Sequence, residues 1–213
     1  MVRGPVPWRT LISRPAIWLL CAQYVCLGYG WYFYITWLPT YLSEARGTGP
    51  MEGALLAGLP LLLGGLGCIV SAALTPVLTR VTSSVSVARR ILAVTGFTLA
   101  SVLSFVFTRI QDPMSAMLVL SLASFFNDFV MPPAWAGTMD VGGRYSGTVS
   151  GAMNMMGSIA GASSVIFVGY LLTWTQNWTL TFLVSAGIYA AGGVCWLFLD
   201  SHTPLERTAG EKG

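Results

Sequence analysis

The sequence predicts an all-α, polytopic membrane protein with six transmembrane helices. Only 9% of its 213 residues are Asp, Glu, Lys or Arg, whereas soluble domains contain about 25%. Hydrophobic residues make up 54% of the chain, and the mean hydropathy is +0.69. Backbone polar groups need internal partners in lipid, so only helices and closed barrels span a bilayer. The apolar runs are long and lack the alternation of barrel strands, which favours helices.

Six apolar runs approach the length of about 20 residues that crosses the hydrocarbon core, the third only just. Polar and charged breaks delimit them at residues 16–41, 54–78, 91–108, 114–139, 146–173 and 179–199. Short connections are typical of antiparallel neighbours in a helix bundle. We therefore divide the chain into a cytoplasmic N-terminal segment (1–15), a six-helix transmembrane bundle (16–199) and a cytoplasmic tail (200–213).

The basic residues indicate how the spans are oriented, because cytoplasmic loops carry an excess of Lys and Arg. If the N-terminus is cytoplasmic, nine basic residues lie on that side of the membrane: Arg3, Arg9, Arg14, Arg80, Arg89, Arg90, Arg144, Arg207 and Lys212. Arg46 and Arg109 then lie outside. This bias predicts a multi-pass protein of the cell (plasma or inner) membrane with both termini cytoplasmic.

Glycine and proline mark where helices are expected to approach each other or to break. The fifth run carries Gly147-x-x-x-Gly151 and Gly157-x-x-x-Gly161, a small-residue stripe that lets another helix approach closely. Proline removes a backbone donor and bends or ends a helix. Five prolines lie within or at the ends of apolar runs: Pro39, Pro60, Pro76, Pro132 and Pro133.

Several classes of function are excluded by the cysteines, the histidine and the charge. The four cysteines lie in apolar runs without a Cys-x-x-Cys pair or a nearby histidine, so neither a metal site nor a disulfide framework is predicted. His202 follows the last run, so the Ser-His dyad of an intramembrane protease cannot form. The scattered net charge of +3 argues against nucleic acid as a partner. We expect a protein that is not an enzyme and uses no cofactor.

Two segments carry a resemblance to a known family. Asn127–Gly157 reads NDFVMPPAWAGTMDVGGRYSGTVSGAMNMMG and joins two apolar runs through a short polar hinge, while Trp31–Leu42 reads WYFYITWLPTYL. They resemble the tenth and eleventh helices, and the end of the seventh helix, of the major facilitator superfamily in its anion:cation symporter branch. The resemblance covers the whole chain. It implies one half, the C-terminal six-helix half, of a major facilitator fold built as a 3+3 inverted repeat.

The resemblance implies a secondary active transporter that moves a small organic anion, such as a sugar acid or another carboxylate, by alternating access. Coupling to a proton or another cation is expected with it. Members of the family have twelve helices, so the six-helix chain is expected to need a separate N-terminal half or a second copy of itself.

Alternatives to an active carrier remain open. Met1 before a basic stretch and a charged tail after the last run favour a split half or fragment, complete as a half, over a homodimer. The chain could also be an inactive remnant. A different class, the ABC permease subunit, would need a partner ATPase, and the sequence carries no Walker motif.

Asn154 and Trp135 are candidate substrate ligands because of the resemblance. The family's asparagine in the MNM-type segment lines the central cavity and matches Asn154, and a tryptophan near that cavity matches Trp135. An amide can donate to a carboxylate or hydroxyl, and an indole can stack on a sugar-like face. The alternatives are interhelical hydrogen bonding for Asn154 and interfacial anchoring for Trp135.

The first apolar run is rich in side chains that form hydrogen bonds. Gln23 and Tyr24 are favoured as further residues that line the substrate site. Tyr24 and Trp31 are seven residues apart and share a helical stripe, whereas Tyr29 and Tyr32 are expected to face elsewhere.

Asn127, Asp128, Asp140 and Arg144 are candidates for proton handling or gating. A carboxylate at the position of Asp128, inside the fourth run, costs about 2.5–3.5 kcal/mol on insertion scales, so it should be neutralised, paired or hydrated. It either carries a proton or anchors neighbouring helices by hydrogen bonds, and the anchor is favoured. Asp140 and Arg144 occupy the polar hinge that joins the fourth and fifth runs.

Two departures from the family pattern limit what the resemblance implies. Pro76 stands where the family carries the aspartate of its cytoplasmic gate, although Arg80, Arg89 and Arg90 remain. No Lys or Arg lies deep inside a run, and the family's anion-binding arginine belongs to the N-terminal half. The counter-charge for an anion is therefore not evident in this chain.

Overall fold

The computed structural model describes residues 8–199, and these form nine α-helices and one 3₁₀ turn without any strand. The helices are α1 (Trp8–Ile12), α2 (Pro15–Thr36), α3 (Leu38–Arg46), α4 (Pro50–Thr82), α5 (Val85–Phe107), α6 (Pro113–Phe129), α7 (Met131–Gly142), α8 (Ser146–Thr175) and α9 (Trp178–Phe198), and the 3₁₀ turn is Gly143–Tyr145. Arg3, His202, Arg207 and Lys212, which entered the sequence predictions, lie outside the described residues.

Two of the six predicted runs are broken helices. The first run is interrupted at Trp37, between α2 and α3, and the fourth at Val130, between α6 and α7. Each break is followed by proline in the first turn of the next helix, Pro39 in α3 and Pro132 in α7. Proline lacks a backbone N–H and crowds the turn before it, so a continuous helix is disfavoured there. The expected effect of proline is confirmed at both positions.

The second and third runs form longer helices than the sequence predicted. α4 contains 33 residues, or about 50 Å, and continues through Pro60 and Pro76. α5 begins at Val85, six residues earlier than expected, because the Ser84 hydroxyl accepts a hydrogen bond from the Val87 N–H at 3.4 Å. A serine cap of this kind satisfies a donor that the first turn leaves unpaired.

Four helical stretches within the described range are long and apolar enough to cross a membrane: Met51–Thr82, Val85–Phe107, Pro113–Thr175 and Trp178–Phe198. The third contains 63 residues, about 95 Å if it were one straight helix, and the break at Val130 and the turn at Gly143–Tyr145 divide it into α6, α7 and α8. The chain reverses at that turn, so that α7 packs against α8. α2 is less apolar than these stretches, because Gln23 and the tyrosines of α2 lower its mean hydropathy.

The helices pair in a pattern that repeats between the two halves of the bundle. α2 lies along α8 and also contacts α9, while α6 lies along α4 and also contacts α5. Exchanging the first triplet (α2 with α3, α4, α5) for the second (α6 with α7, α8, α9) converts one set of pairs into the other. α5 and α9, the third members, pack against each other. This is the neighbour pattern of a 3+3 inverted repeat.

The connections that were predicted to lie outside meet at one end of the bundle. Arg46, at the end of α3, donates to the carbonyl oxygens of Ile110 and Gln111 in the α5–α6 connection. Glu44 and Gln176 line a shared crevice, which brings the α3–α4 and α8–α9 connections together. At the other end, Arg90 donates to the Leu199 carbonyl oxygen at 2.7 Å. The relative arrangement of the loops therefore agrees with the predicted topology.

Close helix contacts use part of the small-residue stripe. Gly157 and Gly161 of α8 pack against the rings of Tyr24 and Tyr32 on α2, where an added Cβ atom would collide with the ring. By contrast, a Cβ atom at Gly147 or Gly151 would meet nothing within 4 Å. The second half of the stripe therefore holds the bundle together, and the first half faces away from it.

Candidate functional site

A cleft of about 240 Å³ lies between α2, the break that separates α6 from α7, and α8. Its lining side chains and glycines come from these elements: Tyr24, Leu27, Gly28, Trp31, Tyr32, Asn127, Asp128, Met131, Asn154, Gly157 and Ser158. Trp31, Asn154 and Ser158 are exposed, so the cleft opens at the surface of the described bundle. Four of the eight predicted site residues, Tyr24, Asn127, Asp128 and Asn154, thus lie together.

Tyr24 is held in the cleft by Trp135. The indole Nε1 of Trp135 donates to the Tyr24 hydroxyl oxygen at 3.2 Å, and the two rings meet edge to face with centroids 6.0 Å apart. A phenol can accept and donate at once, so this bond leaves the Tyr24 proton available for another acceptor. Trp135 does not itself line the cleft, and it acts on the site through Tyr24.

Asn154 and Ser158 lie one turn apart on the face of α8 that borders the cleft. Together they add an amide and a hydroxyl to one wall. Ser158 was not predicted, although its spacing of four residues from Asn154 was a signal that could have found it. On α2, Trp31 lines the cleft as its shared stripe with Tyr24 predicted. The expectation that Tyr32 faces elsewhere is wrong, because α2 presents Gly28 and Tyr32 to the same wall, four residues apart.

Asp128 is half-buried and projects toward α4 at Gly64. Its Oδ1 atom accepts from Asn127 Nδ2 at 2.7 Å. An added Cβ atom at Gly64 would collide with Asp128 Oδ2 and lie 3.3 Å from Ser124 Oγ. Within the described residues, no hydrogen bond joins the Asp128 carboxyl to another helix. The Cys68 thiol of α4 donates to the Asp128 backbone oxygen and not to the carboxyl. The interpretation of Asp128 as a helix anchor therefore lacks a partner here.

Gln23 lies outside the cleft, although it was predicted with Tyr24. It is fully buried, its Oε1 accepts from Trp196 Nε1 at 3.2 Å, and its Nε2 contacts Met153 Sδ at 3.8 Å. These partners belong to α9 and α8, so Gln23 ties three helices together. A turn of about 100° per residue directs adjacent side chains apart, which explains why Gln23 and Tyr24 do not share a surface.

Asp140 and Arg144 also lie away from the cleft, at the end of the bundle where α7 finishes. Asp140 forms an ion pair with Arg89 of α5, in which the arginine side chain is 11% exposed and the carboxylate 50% exposed. Arg144 lies over the Tyr145 ring, with 5.4 Å between its Cζ atom and the ring centroid. An acid–arginine pair thus links α5 to α7, even though Pro76 replaces the expected acid in α4.

The cleft combines neutral hydrogen-bonding groups with one acid. No Lys or Arg is among its lining residues, and no group of three or more His, Cys, Asp or Glu side chains that could hold a metal ion occurs in residues 8–199. Aromatic faces, an amide and hydroxyls suit a small polar ligand that carries hydroxyl or carboxylate groups. A proton donor or cation close to Asp128 would offset its charge.

Comparison with known proteins identifies relatives among transporters. The family model described as Major Facilitator Superfamily matches residues 2–165. The chain is similar to the probable sulfoacetate transporter SauU of Cupriavidus necator, at 33% identity over 93% of this chain and 46% of the relative. Similarity extends to the probable galactarate/D-glucarate transporter GudP of Escherichia coli K12, at 29% identity over 84% of this chain and 39% of the relative.

A chloroplast protein of Arabidopsis thaliana, sodium-dependent phosphate transport protein 1, is also similar, at 27% identity over 90% of this chain and 37% of the relative. The chain thus spans less than half the length of each of these relatives. More than half of each relative therefore lies outside the region matched by these 213 residues.

Proposed function

This chain belongs to the Major Facilitator Superfamily, and we propose that it forms the C-terminal half of a secondary active transporter for a small organic anion. Sulfoacetate, galactarate and D-glucarate, which appear in the names of its relatives, are the substrate class that this proposal favours. A second half of the fold, beyond these 213 residues, completes the carrier. Transport proceeds by alternating access, in which the two halves rock around a central site.

The observation that carries this proposal is the open cleft with its polar lining. Tyr24 on α2 and Asn154 on α8 offer hydrogen-bond donors from two helices, and these suit the carboxylate and hydroxyl oxygens of a sugar acid. The cleft opens at the surface beside the exposed Trp31 and Asn154. A second half that covers this side would enclose the ligand and exclude water from it.

The partner half has to supply the positive charge that binds the anion. The lining residues include Asp128 but neither Lys nor Arg, and an ionised Asp128 repels an anion. Binding by this half alone is therefore weak, because its neutral donors must offset that repulsion. Tyr24 and Asn154 thus orient the substrate, and the other half of the carrier neutralises the substrate's negative charge.

The same proposal includes coupling to a proton or another cation. It also places the chain in the cell membrane with both termini on the cytoplasmic side. A relative named as sodium-dependent supports a cation, and the distribution of Lys and Arg supports the orientation. In that orientation the Arg89–Asp140 pair lies at the cytoplasmic end, where it joins α5 to α7 and helps to close the inner side of the path.

Coexpression with a matching N-terminal half tests the proposal. The N-terminal half of the Cupriavidus necator relative is produced together with this chain in cells that lack organic-anion uptake, and entry of labelled sulfoacetate and galactarate is measured. We expect uptake only when both halves are present. The control is the same relative split at its central loop. If that split relative transports but its N-terminal half moves no anion with this chain, the proposed function is wrong.

A further inference from the structure

The Asn127 side chain presents an unpaired acceptor at the cleft. Asn127 is 1% exposed, it lines the cleft, and its Oδ1 atom has no hydrogen-bond partner in the described part of the chain. Its Nδ2 atom donates to Asp128 Oδ1. Since a carboxylate oxygen only accepts, this bond determines which end of the amide is the nitrogen. The remaining amide oxygen therefore lacks a donor.

The second oxygen of Asp128 occupies a space that exists because residue 64 is glycine. An added Cβ atom at Gly64 would collide with Asp128 Oδ2, and Ser124 Oγ lies 3.3 Å from the same position. The neighbouring Gly65 has nothing within 4 Å of its own Cβ position. The space for the carboxylate therefore arises at Gly64, where α4 approaches Asp128 closely. It does not reflect loose packing along the whole of α4.

No basic side chain within residues 8–199 forms an ion pair with this carboxylate. The ion pair that occurs within residues 8–199 is Arg89–Asp140, and the cleft contains no basic residue. A buried charge is costly unless it is paired. Two residues that line the same cleft therefore leave oxygen chemistry unsatisfied: the Asp128 carboxylate has no positively charged partner among the described residues, and the Asn127 amide oxygen has no donor.

We propose that Asn127 and Asp128 form a binding site for a small monovalent cation, with Na⁺ as its probe. This inference rests on the proposed function and deepens it, because the site would hold the cation that the carrier couples to its anion. Carboxylate and carbonyl oxygens are ligands of hard cations. The helix break at Val130 lies two residues beyond Asp128, and broken helices line ion sites in other transporters.

The charge of the site favours a monovalent ion. One carboxylate neutralises one positive charge, whereas Ca²⁺ takes six to eight oxygen ligands, commonly with several carboxylates. A proton on Asp128 would also remove the negative charge, and a protonated carboxyl can donate to an amide oxygen, so Na⁺ and acid are compared directly in the test below. A metal cation bound in the cleft beside these residues would balance the Asp128 charge and give the Asn127 amide oxygen a partner.

Binding of Na⁺ to the purified chain tests the site without any transport assay. The thermal unfolding midpoint is measured in NaCl and in choline chloride at equal ionic strength. A ligand that binds the folded state raises this midpoint in a saturable way, so we expect stabilisation by Na⁺ over choline. Absence of a difference in the unaltered chain overturns the proposal. Stabilisation by acidification instead of Na⁺ also overturns it, in favour of a proton.

Three variants locate the effect. Asp128→Asn keeps the shape but loses the charge, and we expect it to weaken Na⁺ more than about tenfold, since even outer-shell changes cost that much at metal sites. Gly64→Ala should displace the carboxylate and weaken Na⁺ as well. Gly65→Ala is the matched control and should bind as the unaltered chain does. Unchanged Na⁺ affinity in both Asp128→Asn and Gly64→Ala would refute the site. If one of these variants does not fold, unchanged affinity in the other refutes it.

The two proposals fail in different ways. If Na⁺ binds through Asp128 but the assembled halves move no anion, the cation site stands and the proposed function falls. If anion uptake occurs but Na⁺ does not stabilise the chain, the cation site is refuted and the proposed function stands. The same holds if Na⁺ stabilises the chain and its Asp128→Asn variant equally.

Discussion

At the scale of single residues, Asn154 offers the most direct probe of the cleft. Its amide is exposed on the wall formed by α8. In an assembled transporter we expect Asn154→Ala to weaken anion binding about five- to thirtyfold, because a lost hydrogen bond costs about 1–2 kcal/mol. The measurement is competition for uptake of a labelled anion.

Ser163→Ala is the matched control for Asn154→Ala. Ser163 lies on the same helix but lines a separate groove formed by α2, α8 and α9. It should leave the affinity unchanged. Equal losses for both variants would mean that α8 responds to any substitution, and the assignment of Asn154 to the substrate would then fail.

Tyr24 and Trp135 form a pair whose members have different roles. Tyr24 lines the cleft, whereas Trp135 reaches it through the hydrogen bond to the Tyr24 hydroxyl. We expect Tyr24→Phe to weaken anion binding about tenfold by removing a donor, and Trp135→Phe to weaken it less. A larger loss for Trp135→Phe in the same competition assay would indicate that the indole contacts the substrate itself.

The sequence indicated polar and aromatic side chains that lie in the cleft, but not the direction in which each of them points. Asn154 and Tyr24 were found because of a family segment and an aromatic-rich helix, and both line the cleft. Gln23 was grouped with Tyr24, whereas the structure directs it toward Trp196 and Met153, since one sequence does not reveal which face of an apolar helix meets its neighbours. Gly64 could not be found, because its role depends on contact with Asp128, 64 residues away in the chain.

At the scale of helices, α4 and α6 depend on a close approach at Gly67. An added Cβ atom there would collide with the Phe125 backbone oxygen, whereas at Gly58 on the same helix it would meet nothing within 4 Å. We expect Gly67→Ala to destabilise the bundle by about 1–3 kcal/mol, as overpacking does. Gly58→Ala should be neutral or slightly stabilising, because alanine favours helix.

Unfolding of the purified chain in denaturant or detergent mixtures compares these two variants. The informative result is the difference between them. If Gly58→Ala proved as destabilising as Gly67→Ala, the contact between α4 and α6 would not explain the requirement for glycine.

Helix breaks were easier to predict than helix lengths. Pro39 and Pro132 coincide with breaks. Proline lacks a backbone N–H and its ring crowds the preceding turn, and both effects act within one helical turn. Pro60 and Pro76 carry the same local signal, but α4 continues through them. Packing of α4 along α6 supplies the stabilisation that overrides it, and this contact is not visible in the sequence.

At the scale of the whole molecule, the six-span bundle and its repeat were predictable from composition and family resemblance, and the orientation in the membrane stays a prediction. It is checked with single cysteines in a Cys-free background, in intact cells. Cysteines at Thr48 and Gln176 should react with an impermeant reagent from outside, and one at Ser84 should not. Labelling of a cysteine at Ser84 from outside would show that the topology is the reverse of the predicted one.

The central claim is that this chain is half of an alternating-access carrier. Its most direct test is the accumulation ratio of a labelled sugar acid in proteoliposomes with an imposed cation gradient, measured for the chain alone and for the chain assembled with an N-terminal half. We expect no concentration of the anion by the chain alone, because one half neither encloses the site nor supplies a counter-charge. We expect accumulation by the assembled pair. Robust accumulation by the six-helix chain reconstituted as a monomer would contradict it.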